Sequence, residues 1–355
     1  MASRRLGDYI ERIHLGGQGP SGSSGRPFNN GAPSNPPLLR THGVNRILVY
    51  PGSFNPPHQG HLDLLRYVFQ NAGDDLHIIG AIVIMTDDNR LRDKLSNEKD
   101  PLILPREQRV KLWRGDGIPV DWAWVYDKSE ASWADFRTKL LKQANRDRID
   151  LKFILLGGPD AISAEGTFNP EYWRCPDSIT SDISRPVDFR YPNTLRQLAG
   201  CAMWEKPTYD RGMLEREVRA GLKGKPEQGK NPTKIKRTFT DSFCEEIEQA
   251  LRLAFAKLNI VSICQRLRKP KGIIRFVPCN LALRPKEAPS STQIRQIIAT
   301  TPRESLEETL KGIALNPHLL VEYVKHRPQP VKSLELDKEV GGEKGLQENQ
   351  LNVVW

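Results

Sequence analysis

Cysteine is scarce in this chain of 355 residues, and its distribution argues against a disulfide framework and against a structural zinc site. The five cysteines are scattered along the sequence, and no two of them form a CxxC pair. An odd number of isolated cysteines does not build a disulfide framework, and structural zinc sites need closely spaced ligand pairs. The sequence therefore predicts a reducing compartment, the cytoplasm, with the nucleus left open.

Long apolar runs are also missing. The longest apolar stretch runs from Ile78 to Met85, whereas a membrane-spanning helix needs about 20 residues. The N-terminus carries Arg4 and Arg5, but no apolar core follows them. We therefore expect no signal peptide, no transit peptide and no membrane partner.

Charge is unbalanced in the positive direction. The formal net charge is +10 at pH 7, which suits an anionic ligand such as a nucleotide, a nucleic acid or a membrane surface. The charge alone does not choose among these ligands.

Segments of different composition divide the chain. Residues 15–40 are rich in Gly, Ser, Pro and Asn and poor in apolar side chains, so we expect the N-terminal segment 1–42 to be disordered. A single domain is expected over residues 43–327, followed by a flexible tail, 328–355. The stretch 221–237 is basic and lacks periodicity, which predicts a surface loop, with a nuclear-import or polyanion-binding patch as the alternative.

Strand and helix patterns alternate between these ends. Five short β-branched runs predict strands at 46–50, 78–85, 152–156, 200–204 and 273–278, and amphipathic segments predict helices at 61–72, 105–114, 132–145 and 243–258. Runs without polar alternation indicate strands buried on both faces. The pattern predicts an α/β fold: a Rossmann-like doubly wound parallel sheet with helices on both faces.

The corner after the first predicted strand, "PGSFNPPHQGH", is the strongest local signal. Gly52 lacks a Cβ, so the backbone there can approach a ligand closely or adopt a positive φ. His58 and His61 lie at the start of the next helix, where unpaired N–H groups and the helix dipole favour phosphate. A zinc site would need a third ligand, and none is close in sequence. We therefore predict a phosphate site at this corner.

The same corner resembles the GxFxPxHxGH signature of the HxGH nucleotidyltransferase superfamily, in the form typical of nicotinamide mononucleotide adenylyltransferases. Late in the chain, "PSSTQIRQ" (289–296) resembles the second motif, ISSTxIR. Hydroxyls at a helix start can cap the helix or meet phosphate, and an arginine offers a fork for phosphate oxygens. The segment 205–272 has no counterpart in the resemblance, and we interpret it as an insertion.

The resemblance implies roles for particular residues. Three are implied as catalytic, namely His58, His61 and Arg295. The ATP-binding residues implied are Gly52, Ser53, Phe54, His58, His61, Gly157, Asp160, Ser291, Thr292 and Arg295. The acceptor-binding residues implied are Ser53, Phe54, Arg109 and Tyr126. Strand alternation further predicts that Trp122, Trp124 and Tyr126 share one face, which is also the pattern of a core strand. Pro159 stands where the family has a small residue and removes one backbone donor.

The reaction implied is adenylyl transfer from ATP to the 5′-phosphate of nicotinamide mononucleotide or a related mononucleotide, with loss of pyrophosphate. Mg²⁺ is the implied cofactor, held mainly by phosphates and water, and no protein metal ligand is expected. ATP and a phosphorylated small molecule are the expected partners; nucleic acid is not, and a homo-oligomer is left open. Two alternatives remain: a diverged protein that only binds or hydrolyses nucleotide, and an enzyme for a different phosphorylated acceptor.

Overall fold

The computed structural model describes residues 4–16, 27–28, 36–98, 101–115, 118–166, 170–223, 238–284 and 289–326. Its strands are β1 Arg4–Arg5, β2 Leu38–Leu39, β3 Val44–Gly52, β4 Ile78–Met85, β5 Ala123–Tyr126, β6 Asp150–Leu156, β7 Asp177–Ser181, β8 Arg190–Tyr191, β9 Thr194–Leu195, β10 Ser262–Gln265 and β11 Ile273–Val277. Its α-helices are α1 Leu6–His14, α2 Gln59–Asn71, α3 Asp88–Lys94, α4 Arg106–Trp113, α5 Trp133–Arg146, α6 Arg211–Lys223, α7 Thr238–Ile260, α8 Ser291–Thr300, α9 Leu306–Leu310 and α10 Pro317–Lys325.

Seven strands form one sheet in the order β10-β11-β7-β6-β3-β4-β5. All neighbours pair in parallel except β10, which is antiparallel to β11 at the edge. The chain lays down β3, β4 and β5 in one direction and then crosses to the other side of β3 for β6, β7 and β11. This confirms the predicted doubly wound fold and places the change of direction between β3 and β6.

The central strands are buried on both faces, as their unbroken apolar runs predict. One hydrophobic cluster includes Leu48, Leu65 and Val83 on the side of α2, and another includes Ile47, Ile82 and Phe153 on the side of α1 and α5. Side chains of successive strand residues therefore enter opposite cores. Two layers of helices thus enclose the sheet.

The strand predicted at 200–204 is not present. Cys201 and Glu205 make only isolated bridges to Arg266 and Ile263. In contrast, β7 and β10 are strands that the apolar pattern did not reveal, because both contain several polar residues. Ser178, Thr180 and Ser181 of β7 are nevertheless buried, since β7 lies between two other strands.

The N-terminal segment differs from the expected disorder. Leu6, Tyr9 and Ile10 of α1 are buried in the cluster that also contains residues of α5 and β5. His14 follows on the same helix, and its Nε2 lies 2.7 Å from a carboxylate oxygen of Asp127. The prediction of disorder over 1–42 is therefore wrong for residues 4–16; residues 17–26 and 29–35 lie outside the described chain.

The segment 205–272 contributes α6, α7 and β10. Leu214, Ala254 and Leu258 form a small apolar cluster between the two helices. Residues 224–237 of the predicted basic loop, and the predicted tail after residue 327, lie outside the described residues. Among the helices described, none combines the length and apolar character needed to span a bilayer.

We expect Ile10→Ala to destabilise the protein by about 2–4 kcal/mol, because it opens a cavity in a filled core. Ile10 is fully buried, whereas Ile13 on the same helix is only partly buried. Denaturant unfolding of both variants measures the difference. An unfolding free energy for Ile10→Ala no lower than that of Ile13→Ala would show that α1 does not contribute to the core.

Candidate active site

A cavity of about 230 Å³ opens at the carboxyl ends of β3, β4 and β6. It is lined by Tyr50, Pro51, Gly52, Ser53, Phe54, His61, Thr86, Arg90, Lys94, Leu155, Leu156, Gly157, Gly158, Asp160, Ala161 and Trp173. The cavity therefore lies where the strand order reverses, the usual ligand position in an open α/β sheet.

The corner after β3 is shaped by the packing of one ring on one glycine. A Cβ on Gly52 would lie 2.6 Å from the Phe54 ring, so no larger residue fits there without displacing that ring. Phe54 itself adopts a positive φ of 46°. The glycine is thus explained by close packing with Phe54, one of the residues that line the cavity.

The two histidines form a stacked pair at the start of α2. Their ring centroids are 3.5 Å apart. The backbone N–H of His58 donates to Nδ1 of His61 at 3.2 Å. An accepting Nδ1 leaves the proton of a neutral ring on Nε2. His61 lines the cavity with a fixed tautomer, whereas His58 is buried behind it.

Both histidines are held in the neutral form. Burial, and secondarily the guanidinium of Arg185, lower the pKa of His58 to about 3. Burial, His58 and Arg185 hold the pKa of His61 well below its usual range. At neutral pH the pair therefore offers neutral N–H donors, and the positive charge of the site comes from other residues.

The second motif packs against the first. The Ser291 hydroxyl donates to the carbonyl of Pro56 at 2.8 Å, and Nη1 of Arg295 donates to the carbonyl of Asn55 at 3.0 Å. Ser290 is the N-cap of α8, where its hydroxyl accepts from the backbone N–H of Gln293. The N-termini of α2 and α8 are about 230 residues apart in sequence, and these bonds to the loop 55–57 bring them together.

Arg109 is fully buried and does not line the cavity. Its guanidinium donates to the carbonyl oxygens of Leu104, Ser53 and Thr86, and to a carboxylate oxygen of Asp88. The prediction that Arg109 contacts the acceptor is therefore corrected. Arg109 holds the two segments that place Ser53 and Thr86 in the cavity wall, through bonds to their carbonyl oxygens.

The segment after β6 supplies a third side of the cavity. Gly157 and Asp160 both line it, as the resemblance implies, but the N–H of Gly157 donates to the carbonyl of Ile179. Asp160 is exposed and brings a carboxylate to the cavity. Its side chain lies so close to Gly158 that a Cβ there would be 2.5 Å from Oδ1.

The aromatic strand is the clearest departure from prediction. Tyr126 is fully buried, and its hydroxyl lies 2.7 Å from that of Ser132. Trp122 precedes β5 and stacks on Phe69 on the other side of the sheet, so it does not share a face with Tyr126. The aromatic residues that line the cavity are Tyr50, Phe54 and Trp173, and Trp173 packs with one side in the core cluster that contains Tyr126.

Three cations near the cavity were missed by the motif analysis. Arg90 and Lys94 lie on α3 and line the cavity, and Arg185 influences both histidines from the segment after β7. All three follow the carboxyl ends of parallel strands. Arg90 and Lys94 could have been found from the sequence, because they follow β4, which was predicted correctly. Arg185 could not, because it follows β7, which was not predicted.

A second cavity, of about 330 Å³, lies at the opposite end of the sheet, between the starts of several strands and the segment 205–214. Arg46, Asp75, Tyr209 and Arg275 are among its lining residues, and no residue of either motif lines it. Although it is the larger cavity, we assign the candidate active site to the one that Gly52, Ser53, Phe54 and His61 of the first motif line. Ser291, Thr292 and Arg295 of the second motif are not among the residues that line it.

Comparisons with known proteins agree with the first motif. Residues 49–188 match the family model described as cytidylyltransferase-like, and this range contains the first motif and strands β4 to β7. This match confirms the resemblance to the nucleotidyltransferase superfamily over these residues. Among curated proteins, none matches the chain significantly. Among solved structures, the chain is similar to the Plasmodium falciparum nicotinic acid mononucleotide adenylyltransferase complexed with NaAD, with 11% identity, a TM-score of 0.35, and coverage of 79% of this chain and 96% of that chain.

The depressed pKa of His58 predicts an acid-sensitive fold. The pKa is 6.5 in a model peptide and about 3 in the folded protein, so the unfolded chain binds more protons below pH 6.5 and stability falls as the pH is lowered. Between pH 7 and pH 4 this single group should remove on the order of 3 kcal/mol of unfolding free energy. His58→Gln should lose less stability over that range than the wild-type protein.

Denaturant unfolding at both pH values measures this difference. The matched control is His318→Gln, the same substitution at a histidine whose side chain is 71% exposed. If His58→Gln and wild type lose equal free energy, His58 is not buried in neutral form.

Proposed function

We propose that the protein is an adenylyltransferase that moves AMP from ATP to the 5′-phosphate of nicotinamide mononucleotide or a related mononucleotide, forming a dinucleotide such as NAD and releasing pyrophosphate. The observation that carries this proposal is the contact between the two motifs. Arg295 and Ser291 both bond the loop that ends at His58, beside a cavity at the switch point of the sheet.

The transfer needs positioning more than covalent chemistry. A 5′-phosphate oxygen of the acceptor attacks the α-phosphorus of ATP, a new P–O bond forms, and the bond to the pyrophosphate oxygen breaks. In this proposal His61 donates from Nε2 to the α-phosphate as negative charge moves toward the leaving group. His58 supports His61 from behind, through the stacked ring and the backbone N–H.

The β- and γ-phosphates are assigned to the start of α8. First-turn N–H groups have no earlier turn to bond, so those of Ser291 and Thr292 are available donors. Arg295 adds its guanidinium there, and Lys94 adds charge at the cavity wall beside Arg90, whose guanidinium is paired with Glu130. The proposed roles of Gly52, Gly157 and Asp160 are to shape the cavity around the nucleotide.

Mg²⁺ would offset the charge of the triphosphate. Among the residues that the structure describes, no three His, Cys, Asp or Glu side chains are grouped as metal ligands. Magnesium dehydrates reluctantly and often keeps several waters beside substrate phosphates. The donor set fits an ion that enters with ATP, with Asp160 as the carboxylate of the cavity.

Product analysis tests the reaction directly. Pure protein is incubated with Mg²⁺, ATP or CTP, and nicotinamide mononucleotide, nicotinic acid mononucleotide or another phosphorylated acceptor. We expect a dinucleotide and pyrophosphate with ATP and one of the two pyridine mononucleotides. A product from CTP or from another acceptor would reassign the substrate. Nucleotide binding without any product would support the alternative that the protein only binds nucleotide.

His61→Ala should lower turnover by on the order of 10²-fold or more, because one preorganised donor to the transition state is lost. Steady-state kinetics with ATP and the active acceptor measure the change. His318→Ala, an exposed histidine on α10, is the control and should retain wild-type turnover. Unchanged turnover in folded His61→Ala would remove His61 from the catalytic residues.

Trp173→Leu should raise the KM for the acceptor about two- to tenfold, the loss expected for one aromatic stacking contact, with a smaller effect on the KM for ATP. Tyr126→Leu should leave the acceptor KM of the folded enzyme unchanged, because Tyr126 is fully buried and does not line the cavity. An acceptor KM that rises in Tyr126→Leu and not in Trp173→Leu would restore the original assignment of Tyr126.

A further inference from the structure

Arg295 is bound by a carboxylate from outside both motifs. Nε of Arg295 donates to Oε2 of Glu98 at 3.2 Å, and Nη2 donates to Oε1 at 2.5 Å. Both carboxylate oxygens therefore meet the guanidinium, in the geometry that arginine also uses for phosphate. Glu98 follows α3, the helix that carries Arg90 and Lys94 on the cavity wall.

The guanidinium has few donors left for a ligand. Besides the two bonds to Glu98, Nη1 donates to the Asn55 carbonyl at 3.0 Å and Nη2 donates to the Thr292 hydroxyl at 3.1 Å. An arginine side chain has five N–H donors, so these bonds occupy four of them. A phosphate group that arrived at Arg295 would meet one free donor and a negative charge.

We propose that Glu98 is an autoinhibitory contact, a carboxylate that occupies the Arg295 fork and must leave before a triphosphate can bind there. The inference rests on the function proposed above, because it assigns Arg295 to the β- and γ-phosphates. Carboxylate and phosphate compete for the same donors, so the contact and the triphosphate exclude each other. Only a ligand whose phosphate chain reaches Arg295 has to displace Glu98, so only its binding is weakened.

Glu98 is not needed to position Arg295. The Asn55 carbonyl and the Thr292 hydroxyl hold the guanidinium beside the first motif without it. The Arg295 side chain is 10% exposed, whereas that of Glu98 is 40% exposed. The carboxylate can therefore move into water while the arginine stays in place.

Glu98→Gln is the direct test, since it removes the charge and keeps the shape. By titration calorimetry on the full chain, we expect the variant to bind ATP and inorganic triphosphate about two- to fivefold more tightly than wild type, the factor that corresponds to a partly exposed ion pair. AMP, which lacks the β- and γ-phosphates, should bind both proteins equally. Glu98→Ala should behave like Glu98→Gln.

Two further variants sharpen the result. Glu248→Gln removes a carboxylate from another exposed pair, with Arg252 on α7, and should bind triphosphate like wild type. The double variant Glu98→Gln, Arg295→Ala should lose the gain. Equal or weaker triphosphate binding by both Glu98 variants would overturn the proposal, because it would make Glu98 neutral or a positioning residue.

The outcome is separable from the proposed reaction. Tighter triphosphate binding by Glu98→Gln supports the contact even if no acceptor yields a dinucleotide. Conversely, dinucleotide formation by wild type with unchanged triphosphate affinity in Glu98→Gln would overturn the contact and leave the adenylyl transfer standing. If neither protein binds triphosphate, the assignment of Arg295 fails and the contact fails with it.

Discussion

The reversal of strand order between β3 and β6 is the constraint on which the candidate site depends. Because the chain leaves β3 in one direction and returns on its other side, helices at this point diverge and a crevice opens at the carboxyl ends of the strands. The loop after β3, α3 after β4 and the turn after β6 all meet there. The first motif contributes to the cavity because it follows one of these strand ends, and the second motif is tied to it by the bonds of Ser291 and Arg295 to the loop 55–57.

Charge in this site is divided between fixed cations and neutral donors. Burial keeps His58 and His61 uncharged, so the attraction for phosphate comes from arginine, lysine and helix N-termini. The carboxylate of Glu98 opposes that attraction at Arg295. Under the proposed assignment of Arg295, such a site would discriminate by the length of the phosphate chain as well as by its charge.

Buried arginines have a different role in this protein. Arg109 lies behind the cavity and donates to three carbonyl oxygens and one carboxylate oxygen, which links the segments that carry them. Arg275 bonds both carboxylate oxygens of Asp75 at the opposite end of the sheet. A buried guanidinium is tolerated when it is paired with a carboxylate, and both residues are paired in this way, Arg109 with Asp88 and Arg275 with Asp75.

Apolar periodicity and turn chemistry are local properties, so the class of fold, most of the central strands and helices, and the positions of the two motifs could be predicted from the sequence. Which residues face the cavity depends on packing between distant segments. Tyr126 was predicted to contact the acceptor, yet α1 and α5 bury it in the core. Trp173, which no motif marked, packs in the same core and also lines the cavity. Burial of α1 depends on an apolar surface formed by distant segments, and Glu98 meets Arg295 across 197 residues. Contacts of that range follow from packing and not from any local pattern.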